Sequence, residues 1–283
     1  DIPAGQIVGF LGPNGAGKTT TLHLVLGLTR PTSGSIQVLG HDATKAGNAV
    51  RHQIGYLPDV PGFPAWMTAP EFLRFAGSLF GIDKATLDSR VDSLLELAGL
   101  TGVNHKIGGF SRGMKQWLGA TQALVNAPKL LMLDEPTSAL DPLGRKDVLT
   151  MIEALRGKAT VLFSTHLLDD VERICDSAVV LNQGHVLATG TITQLRSRYD
   201  GAQKMRLVTD GDTAHVSALL EDEAWVGDVT IGGDAVVFAA DNADRVGKAL
   251  LGFLASASLT LREYGPALFT LEDAFVLLTE EDR

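Results

Sequence analysis

The sequence predicts an α/β fold with a mainly parallel sheet, followed by a small α+β domain, and three observations favour it. Over about the first 195 residues, short apolar runs typical of buried strands alternate with segments of helical periodicity. A glycine-rich turn joins the first of these strands to the first helix. Beyond about residue 200 the predicted order becomes β-α-β-β-α-β, which is typical of a ferredoxin-like domain.

The composition is that of a globular chain. Hydrophobic residues make up 45% of its 283 residues, and no run approaches the roughly 18 apolar residues that cross a bilayer. We therefore expect a soluble chain. The net charge of −9 argues against broad electrostatic binding to nucleic acid. Cys175 is the only cysteine, which excludes a disulfide framework and a cysteine-rich zinc site.

The first predicted elements surround the glycine-rich turn. Residues 7–11 form an apolar run that predicts a strand, and residues 20–28 predict a helix. Residues 35–40 alternate like a half-exposed strand, and residues 54–58 form another short strand that ends at a proline. The turn therefore lies directly between a strand and a helix.

A helical insert separates these elements from the next strands. Apolar residues at three- and four-residue spacings predict helices from 68 to 100, and Thr68 with Glu71 forms a capping-box start. With a further helix at 111–126, the insert covers about 68–125. The remaining predicted elements are central strands at 128–133 and 159–164, helices at 141–156 and 167–176, and a hairpin with strands at 178–181 and 185–189, which gives the sheet an antiparallel edge.

A domain boundary is predicted near residue 200, where the composition becomes polar. We therefore expect one domain at 1–199 and a smaller one at 200–283. The predicted elements of the smaller domain are strands at 204–209, 225–231, 235–240 and 259–264, helices at 213–221 and 243–255, and a closing amphipathic helix at 271–280.

The glycine-rich turn has the spacing G-x-x-x-x-G-K-T, which is typical of a phosphate-binding loop. Its small residues let successive backbone N–H groups reach a polyphosphate, and the helix N-terminus adds a positive end. Lys18 is then expected to reach the outer phosphates, and the Thr19 hydroxyl to ligate Mg²⁺. The alternative, an ordinary glycine-rich turn, is disfavoured by the flanking strand and helix. The predicted phosphate-binding residues are Gly12, Pro13, Asn14, Gly15, Ala16, Gly17, Lys18, Thr19 and Thr20.

Two carboxylates follow the apolar strand at 128–133. Since ligands of α/β sheets bind beyond the carboxyl ends of the strands, Asp134 and Glu135 are expected beside the phosphate-binding loop. Asp134 suits a Mg²⁺ ligand, and Glu135 suits a base that orients and deprotonates an attacking water. The alternative is a strand that stops at a solvated acidic turn, which the upstream Lys18 and Thr19 disfavour.

Two further stretches make the pattern specific. Residues 111–116, Ser-Arg-Gly-Met-Lys-Gln, and residues 133–142, Leu-Asp-Glu-Pro-Thr-Ser-Ala-Leu-Asp-Pro, resemble the signature, Walker B and D-loop succession of the ATP-binding cassette (ABC) family. The resemblance extends from residue 1 to about residue 195. It implies a P-loop NTPase sheet, in the form of an ABC nucleotide-binding domain that binds ATP with Mg²⁺ and hydrolyses the ATP.

In that family two ATP-binding subunits close head to tail around ATP. The resemblance therefore implies that Ser111 and Gly113 contact the γ-phosphate bound by the other subunit, in a homodimer or a heterodimer. His166 matches the family's switch histidine, although a lone histidine after a strand can also be an ordinary polar loop residue. Lys18, Glu135 and His166 are thus the expected catalytic residues.

Asp59 and Arg112 depart from the family pattern. Asp59 stands where the family has its Q-loop glutamine, and a carboxylate can still ligate Mg²⁺. The expected metal ligands are therefore Thr19, Asp134 and Asp59. Arg112 stands where the first signature glycine usually lies. The family's adenine-stacking aromatic residue and N-terminal strands fall before residue 1, so we expect the natural chain to begin earlier.

The resemblance implies an ATP-hydrolysing subunit that dimerises around ATP and drives a membrane permease on a separate chain. We therefore expect the protein at the cytoplasmic side of the cell membrane. The C-terminal domain resembles an extension found on exporters of drugs, antibiotics or lipids, which favours export. A soluble ABC ATPase acting on nucleic acid or ribosomes is one alternative, which the single phosphate loop and the acidic balance disfavour. A hydrolysis-deficient regulatory subunit is another, and Glu135 and His166 disfavour it.

Overall fold

The computed structural model describes residues 1–45, 50–197, 203–240, 243–267, 271–272 and 275. The chain divides between Ile192 and Thr193 into two compact units. The first unit carries the glycine-rich loop, and the second carries the β-α-β-β-α-β elements. The helix predicted at 271–280 lies largely outside the described residues.

A six-stranded sheet forms the centre of the first unit. The strands of this unit are β1 (Ile7–Leu11), β2 (Gln37–Val38), β3 (His41–Asp42), β4 (Ile54–Leu57), β5 (Leu130–Asp134), β6 (Thr160–Thr165), β7 (Ser177–Asn182) and β8 (His185–Thr191). The sheet has the order β4-β5-β6-β1-β7-β8. All neighbouring pairs from β4 to β7 are parallel, and β8 pairs antiparallel with β7. The predicted parallel sheet with an antiparallel edge is confirmed.

The apolar runs explain why β1, β5 and β6 lie at the centre of the sheet. Every residue of these three strands is buried, which leaves no place for the polar alternation of a surface strand. Because the three strands are parallel neighbours, their carboxyl ends meet at one edge of the sheet. Gly12, Glu135 and His166 follow these ends directly in the sequence.

Residues 35–40 do not form the strand that their alternation predicts. Only Gln37–Val38 is extended, and it pairs with His41–Asp42 in a separate two-stranded sheet. Leu39 and Gly40 have φ angles of +51° and +80°, so the chain turns back after two residues. The longer strand was a wrong prediction because the alternation does not reveal this turn.

The helical insert has a core of its own. The helices of the first unit are α1 (Lys18–Val25), α2 (Ala69–Ser78), α3 (Lys84–Leu97), α4 (Arg112–Leu124), α5 (Pro142–Glu153) and α6 (Leu168–Ile174), and α7 (Ile192–Ser197) begins at the boundary between the units. Helices α2, α3 and α4 bury Leu73, Val91 and Leu118 against one another. The capping box predicted at the start of α2 is present, since Thr68 and Glu71 each accept a hydrogen bond from the other's backbone N–H.

The second unit is a four-stranded antiparallel sheet with two helices. Its elements are β9 (Gln203–Thr209), α8 (Thr213–Glu221), β10 (Val229–Gly232), β11 (Ala235–Ala240), α9 (Ala243–Ser256) and β12 (Leu261–Pro266), and the strand order is β10-β11-β9-β12. The predicted succession of elements is observed. The strand predicted at 225–231 begins only at Val229, because the backbone turns at 223–226, where the Val226 N–H donates to the Glu223 carbonyl at 3.0 Å. The Trp225 ring packs edge-on against Phe238 and Phe253.

Among the described residues, none of the helices has both the length and the apolar character needed to cross a membrane.

Candidate nucleotide site

The glycine-rich loop leaves β1 and runs into α1. Gly17 caps the helix with a φ of +99°, which is a conformation that favours glycine. Gly12 lies against the β7–β8 hairpin, and a Cβ atom there would come within 2.5 Å of the Leu181 carbonyl oxygen. The Gly184 N–H of the same hairpin donates to the Ala16 carbonyl at 3.0 Å. The hairpin therefore packs against the loop on one side and stabilises it.

The side chain of Lys18 is held by its own loop and by a carboxylate. Its Nζ atom donates to the Gly12 carbonyl at 2.6 Å and lies 3.5 Å from Oε1 of Glu135. Only 7% of the side chain is exposed. The ammonium charge is therefore placed at the loop and partly balanced by Glu135, and an incoming phosphate group would compete with that carboxylate for it.

Asp134 ties the loop to the end of the central strands. Its carboxylate is buried, and Oδ2 accepts a hydrogen bond from Thr19 Oγ1 at 2.7 Å. Its Oδ1 accepts a second hydrogen bond from Ser164 Oγ on the neighbouring strand β6. A hydroxyl and a carboxylate are the hard oxygen ligands that Mg²⁺ prefers, so the side chains brought together here fit that ion.

Glu135 occupies a conformation that its neighbours must hold in place. Its φ is +47°, in the left-handed region that a residue with a Cβ atom rarely adopts. Its N–H group donates to the carbonyl and the hydroxyl of Ser164, at 3.1 and 3.2 Å. Its Oε2 atom lies 2.9 Å from Nδ1 of His166, while Oε1 faces Lys18. Of the three predicted catalytic residues, Glu135 thus contacts both Lys18 and His166.

Lys18, Thr19, Asp134 and Glu135 border a cleft of about 240 Å³, which His166 does not line. The cleft is lined by residues 13–20 together with Asp59, Asp134 and Glu135. The three predicted metal ligands, Thr19, Asp134 and Asp59, therefore share one cleft. Asp59 also accepts a hydrogen bond from Ser138 Oγ at 3.2 Å, so its carboxylate is joined to the loop that follows β5.

The charges of this site act on a neighbouring tyrosine. Burial raises the pKa of Tyr56 to about 12, and the negative charges of Asp134 and Asp59 raise it in the same direction. The Tyr56 hydroxyl lies 3.3 Å from Nε2 of His23 on α1. Strand β4, which leads to Asp59, is thereby linked to the helix that begins in the phosphate-binding loop.

Ser111, Gly113 and Asp141 do not line the cleft of their own chain. Ser111 caps α4, where its Oγ accepts a hydrogen bond from the Met114 N–H at 3.2 Å. Asp141 caps α5 in the same way, accepting from the Gly144 N–H at 2.8 Å. Both residues therefore act as helix caps in this structure. The contact of Ser111 and Gly113 with a nucleotide stays a prediction, and so does a role of Asp141, in the D-loop position, in placing the opposite subunit.

Sequence reasoning missed Ser164, which holds both Asp134 and Glu135. The only available signal was its place near the end of an apolar strand, and a serine there has no pattern of its own. Its contact with Asp134 follows from the register of β5 and β6, in which Asp134 lies opposite Ser164. That register is a property of the folded sheet.

The parallel sheet, the loop between β1 and α1, and the carboxylates after β5 define a phosphate-loop ATPase. The sequence profile of the ABC transporter family matches residues 1–138. The ABC transporter ATP-binding protein YxlF of Bacillus subtilis (strain 168) is 40% identical over 273 residues, which cover 96% of this chain and 89% of that protein. The chain belongs to the family of ABC transporter ATP-binding proteins.

Two further comparisons agree with this assignment. The Nod factor export ATP-binding protein I of Rhizobium meliloti (strain 1021) is 34% identical over 98% of this chain and 81% of its own length. A solved structure of the ATP-binding subunit of an ABC transporter superposes with a TM-score of 0.66 and 34% identity, covering 70% of this chain and 83% of that one. The predictions of an ABC fold, of ATP binding and of an ATPase subunit of a transporter are confirmed.

Proposed function

We propose that this subunit binds Mg²⁺-ATP in the cleft at residues 13–20 and hydrolyses it with Glu135 as the base, in order to drive export through a separate permease. The observation that carries the proposal is the position of the Glu135 carboxylate. It lies at the edge of the cleft between the Lys18 ammonium and the His166 ring. A base must be within hydrogen-bond reach of the reacting water, and the edge of a phosphate cleft meets that requirement.

Thr19 and Asp134 would hold the Mg²⁺ ion, together with Asp59, which lines the same cleft. Mg²⁺ is usually bound by one or two carboxylates together with substrate phosphates and water, so this set of oxygen atoms is sufficient. When bound, the ion supplies charge neutralisation for the β- and γ-phosphates. Thr19 and Asp134 are hydrogen-bonded to each other, which already places both oxygen atoms at the loop.

Each catalytic side chain has a distinct task in the proposal. Lys18 binds the outer phosphates, and in doing so it exchanges its contact with Glu135 for one with the nucleotide. Glu135 is then available to orient a water and to accept its proton. His166 keeps the Glu135 carboxylate in place by donating from Nδ1 to Oε2 over 2.9 Å. Only a ring that carries a proton on both nitrogens can at the same time donate from Nε2 to the γ-phosphate.

The site is proposed to be completed by a second ATP-binding subunit, identical or different. Ser111 and Gly113 lie outside the cleft of their own chain, and Ser111 sits at the N-terminus of α4, where free backbone N–H groups favour an anion. Ser111 and Gly113 of the second subunit would therefore face the γ-phosphate. The ATPase would act at the cytoplasmic side of the cell membrane, bound to the permease.

Export is favoured over import by two observations. The similar protein of Rhizobium meliloti is named for Nod factor export. The second unit, with its antiparallel sheet of β9 to β12, adds to the ATPase domain an extension of the kind that the sequence resembles in exporter subunits. The transported compound would be selected by the permease. Co-purification of this subunit with a membrane protein tests the proposed association with a permease. Recovery with ribosomes or DNA alone would contradict it.

The test of the catalytic proposal is Glu135→Gln, compared with Glu153→Gln. The amide cannot accept the proton of the water, so turnover should fall by about 10² to 10⁴-fold while ATP binding persists. Glu153 is exposed at the end of α5, and the same change there should leave steady-state ATP hydrolysis unaltered. Full turnover in Glu135→Gln would remove Glu135 from the role of base.

A further inference from the structure

A buried carboxylate outside the cleft joins the loop after β5 to helix α6. Asp170 is 2% exposed, and its two oxygen atoms accept hydrogen bonds from Thr137 Oγ1 at 3.0 Å and from Arg145 Nε at 2.8 Å. Thr137 is also buried. A buried carboxylate is tolerated when hydrogen bonds and an opposite charge compensate it, and both are present here. None of the three residues lines the nucleotide cleft.

One partner of Asp170 lies within the loop at 135–141, and the other lies just after it. Thr137 lies two residues after Glu135, and Arg145 lies in the first turn of α5. Glu135 has a φ of +47°, and a residue in that region persists only where the surrounding structure fixes it. On the N-terminal side, the hydrogen bonds of the Glu135 N–H group to Ser164 fix it. On the C-terminal side, the bond from Thr137 to Asp170 does the same.

Asp170 belongs to the segment that carries His166. His166 contacts the Glu135 carboxylate at 2.9 Å, and four residues later Asp170 accepts the hydrogen bond from Thr137 at 3.0 Å. Two short segments, 135–137 and 166–170, are therefore clamped together at two points. The first point is the contact between the catalytic side chains of His166 and Glu135, and the second is the buried hydrogen bond from Thr137 to Asp170.

We infer that Asp170, acting through Thr137 and Arg145, is a positioning residue that fixes Glu135 against His166 for hydrolysis. The inference rests on the proposed role of Glu135 as the base. Because Asp170 and its partners lie outside the cleft, their loss should slow the hydrolysis step and leave the binding of nucleotide nearly unchanged. A residue that merely stabilised the fold would not separate these two quantities.

The test compares Thr137→Val with Thr137→Ser in the full chain. Valine has nearly the same shape as threonine but cannot donate to Asp170, whereas serine keeps the hydroxyl. We expect kcat to fall by about 10-fold in Thr137→Val, because small displacements of a catalytic group cost one to two orders of magnitude. The dissociation constant of ADP should stay within about twofold, and Thr137→Ser should keep kcat within about twofold of the unaltered protein.

A matched control is Thr121→Val, at a buried threonine of α4 whose hydroxyl donates to the Leu118 carbonyl in the same helix. Its kcat should be unchanged. Equal loss of kcat in Thr121→Val and Thr137→Val would overturn the inference, and so would a Thr137→Val protein with normal kcat. A Thr137→Val protein whose ADP affinity falls as much as its kcat would also overturn it.

Glu135→Gln, measured in parallel, separates this inference from the proposed function. Full turnover in Glu135→Gln means that the base has been misassigned, whereas lost turnover there with normal turnover in Thr137→Val removes only the positioning role. Combining both changes should lower the residual rate no further, because the group being positioned is already gone. If Thr137→Val does not fold, Asp170→Asn replaces it, and an unchanged kcat in that variant contradicts the inference.

Discussion

Replacing Gly55 by alanine should destabilise the first unit by forcing strand β4 away from helix α4. A Cβ atom at this buried position would lie 1.9 Å from the Ala123 carbonyl oxygen and 3.0 Å from a methyl carbon of Leu131. Ordinary van der Waals contact begins at 3.4 Å, so the helix and the strand must separate by about 1.5 Å. Both groups at the closest contact belong to regular elements, and a change of rotamer cannot relieve it.

Overpacking of this kind typically costs about 1–3 kcal/mol, and a clash with backbone lies at the upper end of that range. For a unit of this size about 1 kcal/mol shifts the midpoint of thermal unfolding by roughly 2–4 °C, so a cost of about 3 kcal/mol predicts a fall of roughly 6–12 °C. Circular dichroism at 222 nm during heating measures the shift. The same protein should bind ATP more weakly, because β4 leads to Asp59 and α4 begins at Ser111.

Gly62→Ala is the matched control for this prediction. A Cβ atom there meets no other atom within 4 Å, so the free energy of unfolding should change by less than about 0.5 kcal/mol. Equal midpoints of thermal unfolding for Gly55→Ala and Gly62→Ala would refute the packing explanation, whether both stay unchanged or both fall, since only one of the two positions is crowded.

Three other predictions concern the site and its surroundings. Asp59→Gln should raise the Mg²⁺ concentration needed for half-maximal ATP hydrolysis, and an unchanged Mg²⁺ dependence would remove Asp59 from the metal ligands. Cys175 is half-buried, and burial raises the pKa of its thiol well above the ordinary value, so iodoacetamide at pH 8 should label it much more slowly before unfolding than after, as followed by mass spectrometry. Equal labelling rates in the native and the unfolded chain would contradict the raised pKa. The pKa of Tyr56 is raised to about 12, so folding stabilises the neutral phenol relative to the unfolded chain. This contribution to stability is complete below about pH 10, where the unfolded phenol begins to ionise, and it is lost as the pH rises from there towards 12. Phenol ionisation is followed by absorbance at 295 nm, and the difference between the titrations of the unaltered protein and of Tyr56→Phe belongs to Tyr56. We expect this difference to appear near pH 12, and its appearance near pH 10 would show an unperturbed phenol.

The sequence was sufficient to predict the centre of the sheet and the order of the site residues. Strands β1, β5 and β6 are short, fully buried runs with their polar residues only at the ends, and such runs have few other places in a folded chain. Because parallel strands end at one edge, the residues that follow them had to converge there. The convergence of Lys18, Glu135 and His166 therefore follows from the pattern of strands, before any side-chain contact is known.

Contacts between side chains on different elements could not be predicted from the sequence. Ser164 reaches Asp134 because the two strands pair in one particular register, and Thr137 reaches Asp170 because α6 packs beside the loop after β5. The turn at Leu39 was missed for a similar reason, since a positive φ at leucine has no signal in composition. Local periodicity predicts which elements form, and the pairing between them is decided by packing.

The strand order of the second unit has a consequence for how the chain is put together. Its first strand, β9, and its last, β12, are antiparallel neighbours, with Met205 opposite Pro266. The Ala267 N–H group donates to the Lys204 carbonyl at 2.7 Å, just beyond this pair. The described sheet therefore begins and ends at adjacent points, near Lys204 and Ala267. A segment whose two ends are adjacent can be inserted into a surface loop of another protein without separating the two ends of that loop.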